Sequence, residues 1–308
     1  MSSFKLFAVE DSGPRALPVP PGATQFADLY RGLPLGVYDA LRTFGHNRFL
    51  YLDRHLARTT RSMALLGWDY RLDEARLRRA LHAVVTGCAW PEMRARIDIL
   101  AAPVETLGTT SRELIALQQF TPPPPSLYKE GVTVDFAAGL RRENPLAKTA
   151  EFAANRPVTG SHELRVTSDD SNDVLNSSLV TQHSSLAPPY EYLLLDDGGR
   201  ILEGTGTNFW AVRDGVVYTA GTGVLEGITR EILLQLIPSL GIEVRLEAVA
   251  AAEIATLDEA ALSGSSRAFL PVVSIAGQPV GDGRPGPVSG RILAAYEAFV
   301  AANARTAV

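Results

Sequence analysis

Cysteine is nearly missing from this chain: Cys88 is the one thiol in 308 residues. A single thiol cannot build an internal disulfide framework, and its scarcity suits a reducing compartment. Histidine is scarce too. The five, at 46, 55, 82, 162 and 183, show no metal-ligand spacing, so no metal site is expected. Basic charge is not in excess. Lys and Arg number 29 against 34 Asp and Glu, a formal net charge of −5, which gives no support to nucleic-acid binding. No apolar run approaches a membrane span, and the first residues, Met-Ser-Ser-Phe-Lys-Leu-Phe, do not read as a signal peptide. The expectation is a cytoplasmic protein without membrane or nucleic-acid partners.

What is present is ordinary globular composition, 46% hydrophobic and 20% charged, in a chain long enough for two domains. Leu52, Leu56, Met63 and Leu66 recur at helical spacing and predict a helix over Leu52–Leu66, with Arg54, Arg58 and Arg61 among them. A second helix is expected over Leu72–Val85, with Asp73 able to cap its start. Strand-like runs follow at Arg96–Ala101 and Glu113–Gln119. Phe120-Thr-Pro-Pro-Pro-Pro125 then favours a stiff, extended connection. The expected division is an N-terminal domain over 1–120, a linker over 121–126 and a C-terminal domain over 127–308. In the second half, strands are expected at Val132–Ala138, Tyr192–Asp196 and Asn208–Val212, the last two separated by a turn at Asp197-Gly198-Gly199. Helices are expected at Thr229–Leu240, with Pro238 in its last turn, and at Val288–Ala302. Strands and helices mix without a βαβα rhythm, which argues for an α+β fold. The stretch 159–189 is rich in Ser, Thr, Asp and Asn and reads as a polar insertion.

The candidate chemistry lies in small-residue segments and one lysine. Lys148 follows Pro145-Leu-Ala, and Glu203 stands in Leu202-Glu-Gly-Thr-Gly-Thr-Asn208. Gly227-Ile228-Thr229 opens a helix, where unpaired N–H groups and the dipole attract an anion. Gly264-Ser265-Ser266 adds a second set of small donors. A lysine, an acid and two such loops are the parts needed to hold pyridoxal phosphate. Gly221-Thr-Gly223-Val-Leu-Glu-Gly227 is not a dinucleotide loop, because its third glycine falls one residue late and no βαβ unit surrounds it.

Six segments in order carry a resemblance. They are Gly36-Val-Tyr-Asp-Ala-Leu-Arg42, Leu52-Asp-Arg-His55-Leu-Ala-Arg58, Asn144-Pro-Leu-Ala-Lys148, Leu195-Asp-Asp-Gly-Gly-Arg-Ile-Leu-Glu203-Gly, Gly227-Ile-Thr-Arg230 and Ser263-Gly-Ser-Ser266. From about Gly36 to Ala302 the chain resembles the class IV aminotransferases, the fold-type IV pyridoxal-phosphate enzymes. The resemblance implies a two-domain α+β fold, a homodimer and the cofactor pyridoxal 5'-phosphate. It implies Lys148 as the Schiff-base lysine, since lysine pKa falls readily on desolvation. It implies Glu203 as partner of the pyridine nitrogen, and Arg58, Gly227, Ile228, Thr229, Ser265 and Ser266 as cofactor contacts. Tyr38 and Arg96 fall at substrate positions.

Three features depart from the family pattern. The tyrosine that many members carry five residues after the lysine is Ala153 here. The interval from Lys148 to Glu203 is longer than usual, and the polar stretch accounts for the excess. Ala40 stands where the lyases carry a catalytic threonine. The substrate signals divide: Tyr38 resembles D-amino-acid and (R)-amine members, Arg96 the branched-chain enzymes. The expected activity is transfer of an amino group between an amino acid and a 2-oxo acid, with a slight lean to L-branched-chain amino acids. A D-amino-acid or (R)-amine transaminase, an aminodeoxychorismate-lyase-like enzyme and a catalytically silent member stay open as alternatives.

Overall fold

The computed structural model describes residues 3–157, 159–160 and 188–308. Two large sheets organise them. The first half contributes β1 (Phe4–Glu10), β2 (Gly13–Leu17), β3 (Val37–Arg42), β4 (Arg48–Phe49), α1 (Leu52–Leu65), α2 (Glu74–Thr86), β5 (Met93–Ile99) and β6 (Glu113–Gln119). Its sheet runs β2-β1-β6-β5-β3, antiparallel throughout. The two helices cover one face, packing Leu56, Met63, Leu77 and Leu81 against Ile97, Ile115 and Leu117. Asp73 caps α2, its carboxylate accepting from the Arg76 amide at 2.9 Å.

Helix α1 differs from its apolar reading in an informative way. Leu66 is exposed and lies past the last turn. The buried face instead carries His55, Arg58, Thr59 and Ser62 beside Leu52, Leu56 and Met63. Positions i, i+3, i+4 and i+7 share one helix face, so a polar stripe is turned inward. Burying that much polarity is tolerable only where partners meet it. The partners lie on β3 and on the lysine segment.

The second half contributes α3 (Pro125–Glu130), β7 (Val132–Phe136), α4 (Ala150–Ala154), β8 (Glu191–Leu195), β9 (Ile201–Gly204), β10 (Asn208–Arg213) and β11 (Val216–Tyr218). It continues with α5 (Ile228–Ser239), β12 (Val244–Arg245), β13 (Glu259–Gly264), β14 (Ala268–Ile275), β15 (Gln278–Pro279), α6 (Pro287–Asn303) and β16 (Arg305–Thr306). The sheet runs β12-β11-β10-β13-β14-β7-β8-β9, and β9 pairs back to β10 where Glu203 meets Asn208. That pairing closes six strands into a ring, and the closure point carries the candidate acid. Helices α5 and α6 cover one side with Ile232, Leu233, Ile292 and Tyr296 on Trp210 and Phe269.

The proline run lies between β6 of one sheet and β7 of the other, but its extended part stops at Pro124. Pro125 opens α3, because its fixed φ suits the first helical position. Lys129 sits in the last turn of that helix. Strand β5 begins at Met93, three residues ahead of the run read from the sequence. The chain end crosses back: β16 pairs with β4 of the first half. Most of the polar stretch 159–189 lies outside the described residues. Its two described ends meet, the Gly160 amide donating to the Pro189 carbonyl at 2.8 Å.

Candidate active site

One cleft between the sheets is lined by all ten residues singled out from the sequence: Tyr38, Arg58, Arg96, Lys148, Glu203, Gly227, Ile228, Thr229, Ser265 and Ser266. Lys129 is not among its lining residues. The lysine segment crosses from one half to the other and is clamped by backbone. The Tyr38 amide donates to the Lys148 carbonyl at 3.0 Å, and the Ala150 amide to the Gly36 carbonyl at 2.8 Å. A Cβ on Gly36 would stand 2.1 Å from the Ile99 carbonyl oxygen, so only glycine lets β3 approach this closely. The Lys148 amide donates to Ser62 Oγ at 3.1 Å.

The Lys148 ammonium lies 4.8 Å from the centroid of the Tyr38 ring. Burial lowers its pKa to about 8, with Arg58 and Arg156 pulling the same way against Tyr38 and Asp39. A lysine there can give up its proton near neutral pH, as an amine nucleophile and proton carrier must.

Glu203 is 2% exposed. Its Oε1 accepts from Arg142 Nε at 3.0 Å, and its Oε2 from the Leu225 amide at 3.1 Å and Asn208 Nδ2 at 3.3 Å. Burial pushes its carboxyl up, and Arg142, the Leu225 amide and Lys148 only partly offset that. Arg142 in turn stacks on the Phe152 ring at 3.9 Å.

On β3, Asp39 is fully buried. Arg58 grips it with both arms of one edge, Nε at 2.9 Å and Nη2 at 2.8 Å, while Nη1 donates to the Glu226 carbonyl at 3.1 Å. His55 Nδ1 lies 2.7 Å from the same carboxylate. Since a carboxylate only accepts, Nδ1 carries the hydrogen. Burial lowers the imidazole pKa, so His55 serves as a neutral donor at neutral pH. Burial alone would raise the Asp39 carboxyl, but Arg58 and His55 hold it well below the usual carboxylate range. Arg58 is thus fixed beside the N-terminus of α5, where the first amides lack helical partners.

Gly227 caps that helix, and a Cβ there would fall 2.2 Å from Asn208 Oδ1. Arg96 reaches the cleft but is committed to Asp98, donating from Nε and Nη2 at 2.6–3.0 Å. Its guanidinium sits 4.2 Å from the Tyr38 ring centroid.

The sequence reading missed Asp39, His55, Arg142, Arg156 and Asn208. Asp39 and His55 lay inside quoted segments, and the i, i+3 spacing of His55 and Arg58 was an available signal. Arg142 and Arg156 had none, because their partners are 61 and 118 residues away.

These residues fit pyridoxal phosphate. A small-residue cradle at Gly227, Ser265 and Ser266, a helix N-terminus and Arg58 suit a phosphate dianion. The buried Thr207 Oγ1 has no hydrogen-bond partner among the described residues and lines the same cleft. Glu203 suits a protonated ring nitrogen, and Lys148 an aldehyde.

The sequence model of the amino-transferase class IV family matches residues 36–158 and 171–275. The chain is 28% identical to the D-alanine aminotransferase of Bacillus licheniformis over 273 residues, 85% of this chain and 86% of that one. It is 39% identical to the branched-chain-amino-acid aminotransferase of Escherichia coli over 124 residues, 40% of each chain. Its fold is similar to that of a branched-chain aminotransferase from Thermoproteus uzoniensis solved with norvaline. The TM-score is 0.70 and the identity 21%, over 97% of this chain and 95% of that chain, a likeness of fold alone. With the family match spanning most of the chain and converging on this cleft, the chain belongs to the class IV aminotransferases and is a pyridoxal-phosphate-dependent enzyme.

Proposed function

We propose that this enzyme moves an amino group between a 2-amino acid and a 2-oxo acid, with L-branched-chain amino acids as the favoured donors. The observation that carries the reading is the desolvated Lys148 amine, pKa about 8, standing in one cleft with Glu203 and the phosphate cradle. When bound, pyridoxal phosphate supplies an aldehyde for the amino group and a ring that takes up the electron pair left at the substrate α-carbon. The protein's own residues do the rest. Lys148 Nζ holds the cofactor and then carries a proton, for which its lowered pKa suits it. Glu203 keeps the ring nitrogen protonated. Gly227, Ile228, Thr229, Ser265, Ser266 and Arg58 hold the phosphate, and Arg58 can do so only because Asp39 and His55 fix it. Arg96, neutralised by Asp98, underlies Tyr38.

A second reading, D-amino acids or (R)-amines, is favoured by the Tyr38 hydroxyl on the cleft wall and by a D-alanine aminotransferase relative that aligns along most of the chain. A hydroxyl aimed at a carboxylate discriminates strongly, because a substrate that misses it leaves a buried polar group unpaired. The family resemblance also supports a cytoplasmic homodimer, which sedimentation of the purified protein would test. For the substrate, the experiment is a half-reaction. Yellow holoenzyme is mixed with single enantiomers and loss of colour is followed. L-leucine, L-isoleucine and L-valine should bleach it. Bleaching by D-alanine or an (R)-amine alone would replace the first reading with the second.

A further inference from the structure

The cleft holds more arginine than cofactor binding accounts for. Arg58, Arg94, Arg96, Arg142, Arg156 and Arg267 all line it. Arg267 donates from Nε to the Tyr190 hydroxyl, and Arg94 lies over the Phe26 ring. Three are matched one to one by carboxylates: Arg58 by Asp39, Arg96 by Asp98 and Arg142 by Glu203. Arg156 is not. Among the described residues it makes no ion pair, and its contacts are the Tyr38 hydroxyl, to which Nη2 donates at 2.5 Å, and the Phe152 ring. Its Nε is buried and has no hydrogen-bond partner among the described residues. Glu191 also faces Gly206, next to the Arg156 head. Its Oε1 accepts from Thr205 Oγ1 and the Tyr192 amide, its Oε2 is the oxygen on the Gly206 side, and it forms no ion pair with Arg156 among the described residues. An arginine cannot shed its charge to escape burial. An unpaired one on a cleft wall is therefore a site for an anion that arrives from outside.

We propose that Arg156, with the Tyr38 hydroxyl, is the clamp for the substrate carboxylate, and that it selects 2-amino and 2-oxo acids over amines that lack one. The placement fits the chemistry. In a 2-amino acid the carboxylate hangs on the carbon that bears the amino group, so its anchor must stand beside the reacting amine. Tyr38 does so: Lys148 Nζ lies over its ring, and its hydroxyl meets Arg156. Gly206 makes the room. A Cβ there would come to 3.0 Å from Arg156 Nη1, so the Arg156 head approaches bare backbone. Arg96, the arginine the sequence pointed to, has one edge of its guanidinium filled by Asp98 and serves beneath the Tyr38 ring. The clamp rests on the aminotransferase reading for the identity of its ligand, and on the charge count for its location.

The test uses holoenzyme and the inert probe 4-methylpentanoate, which carries a carboxylate but no amino or keto group. Binding is measured by calorimetry in the parent, Arg156→Gln and Arg156→Lys. Cofactor content is read from absorbance. Arg156→Gln should weaken probe binding by at least about 10-fold at unchanged cofactor content, with Arg156→Lys in between, as expected for a lost charge-assisted contact. In steady state, Arg156→Gln should raise KM for the 2-oxo acid more than it lowers kcat. It should also narrow the preference for leucine over 3-methylbutylamine. Equal probe affinity in Arg156→Gln and parent would overturn the clamp while leaving transamination standing. Loss of cofactor from Arg156→Gln would overturn it too, by moving the residue to the cofactor. A parent that binds the probe through Arg156 yet takes no amino group from any amino acid would support the clamp and sink the proposed function.

Discussion

Two buried carboxylates, Asp39 and Glu203, are each gripped by one cleft-lining arginine, and they behave oppositely. Asp39 meets the full edge of Arg58 and a hydrogen from His55, and its carboxyl is held far below the ordinary range. Glu203 meets Arg142 through Nε, with two amide donors, and burial wins: its carboxyl is pushed up. The difference lies in how completely each charge is matched. A carboxylate whose lone pairs face a guanidinium edge and an imidazole stays ionised and acts as a fixed brace. One left short of positive charge is poised to gain from a new cation. In the proposed function Asp39 therefore belongs to the scaffold and Glu203 to the cofactor, although both are buried carboxylates.

Breaking the brace should have the largest effect. Asp39→Asn leaves Arg58 buried without its counter-charge, and about 3–5 kcal/mol of stability should be lost in denaturant unfolding. Glu203→Gln should cost clearly less, since burial already disfavours the ionised Glu203 carboxyl, even though the one amide oxygen can accept from only one of Arg142 and the Leu225 amide. Equal losses would erase the contrast. The pH dependence sharpens it. Because the folded Asp39 carboxyl sits below its unfolded value near 3.8, its stabilisation is complete above that pH and fades as pH falls further.

The next effect is on cofactor affinity. Arg58→Ala removes a charge-assisted donor from the phosphate cradle, and about 1.5–3 kcal/mol of cofactor binding should be lost in equilibrium titration. Unchanged affinity would take Arg58 out of the site and leave Asp39 bracing nothing.

A smaller effect concerns Tyr38. Burial opposes ionisation of its hydroxyl, but Arg156, Lys148, Arg96 and Arg142 bring its pKa down to about 7. As pH rises through that value the phenol turns anionic beside Arg156 and repels a carboxylate. Affinity for 4-methylpentanoate should fall between about pH 6 and 8, and Tyr38→Phe should flatten the slope. A slope that persists in Tyr38→Phe would assign it to another group. Smallest of all should be replacement of most of residues 161–187 by a short turn, since the Gly160 and Pro189 backbones already meet. The shortened chain should express in soluble form and bind cofactor as the parent does. Loss of cofactor binding on replacement would contradict that.

The contrast between the two acids also marks what the sequence could tell. Lys148, Glu203, Gly227-Ile228-Thr229 and Ser265-Ser266 were legible because each sits in a short segment whose composition carries its chemistry. The main helices and the run Glu113–Gln119 were legible from periodicity. The bracing was not. Periodicity assigns a face by apolarity, so it placed Leu66 inward and overlooked the His55, Arg58, Thr59, Ser62 stripe that is in fact buried. The ring closure at Glu203 and Asn208 depends on strand pairings across the whole second half, and no local pattern encodes it. Arg142 and Arg156 read as ordinary charges until the fold brings them to Glu203 and Tyr38.

The most direct test of the account is chemical. Holoenzyme is reduced with borohydride, digested and mapped. The account predicts pyridoxyl label on Lys148 alone, the one lysine among the described residues that lines the cleft. Label on the exposed Lys129, or no label at all, would contradict it.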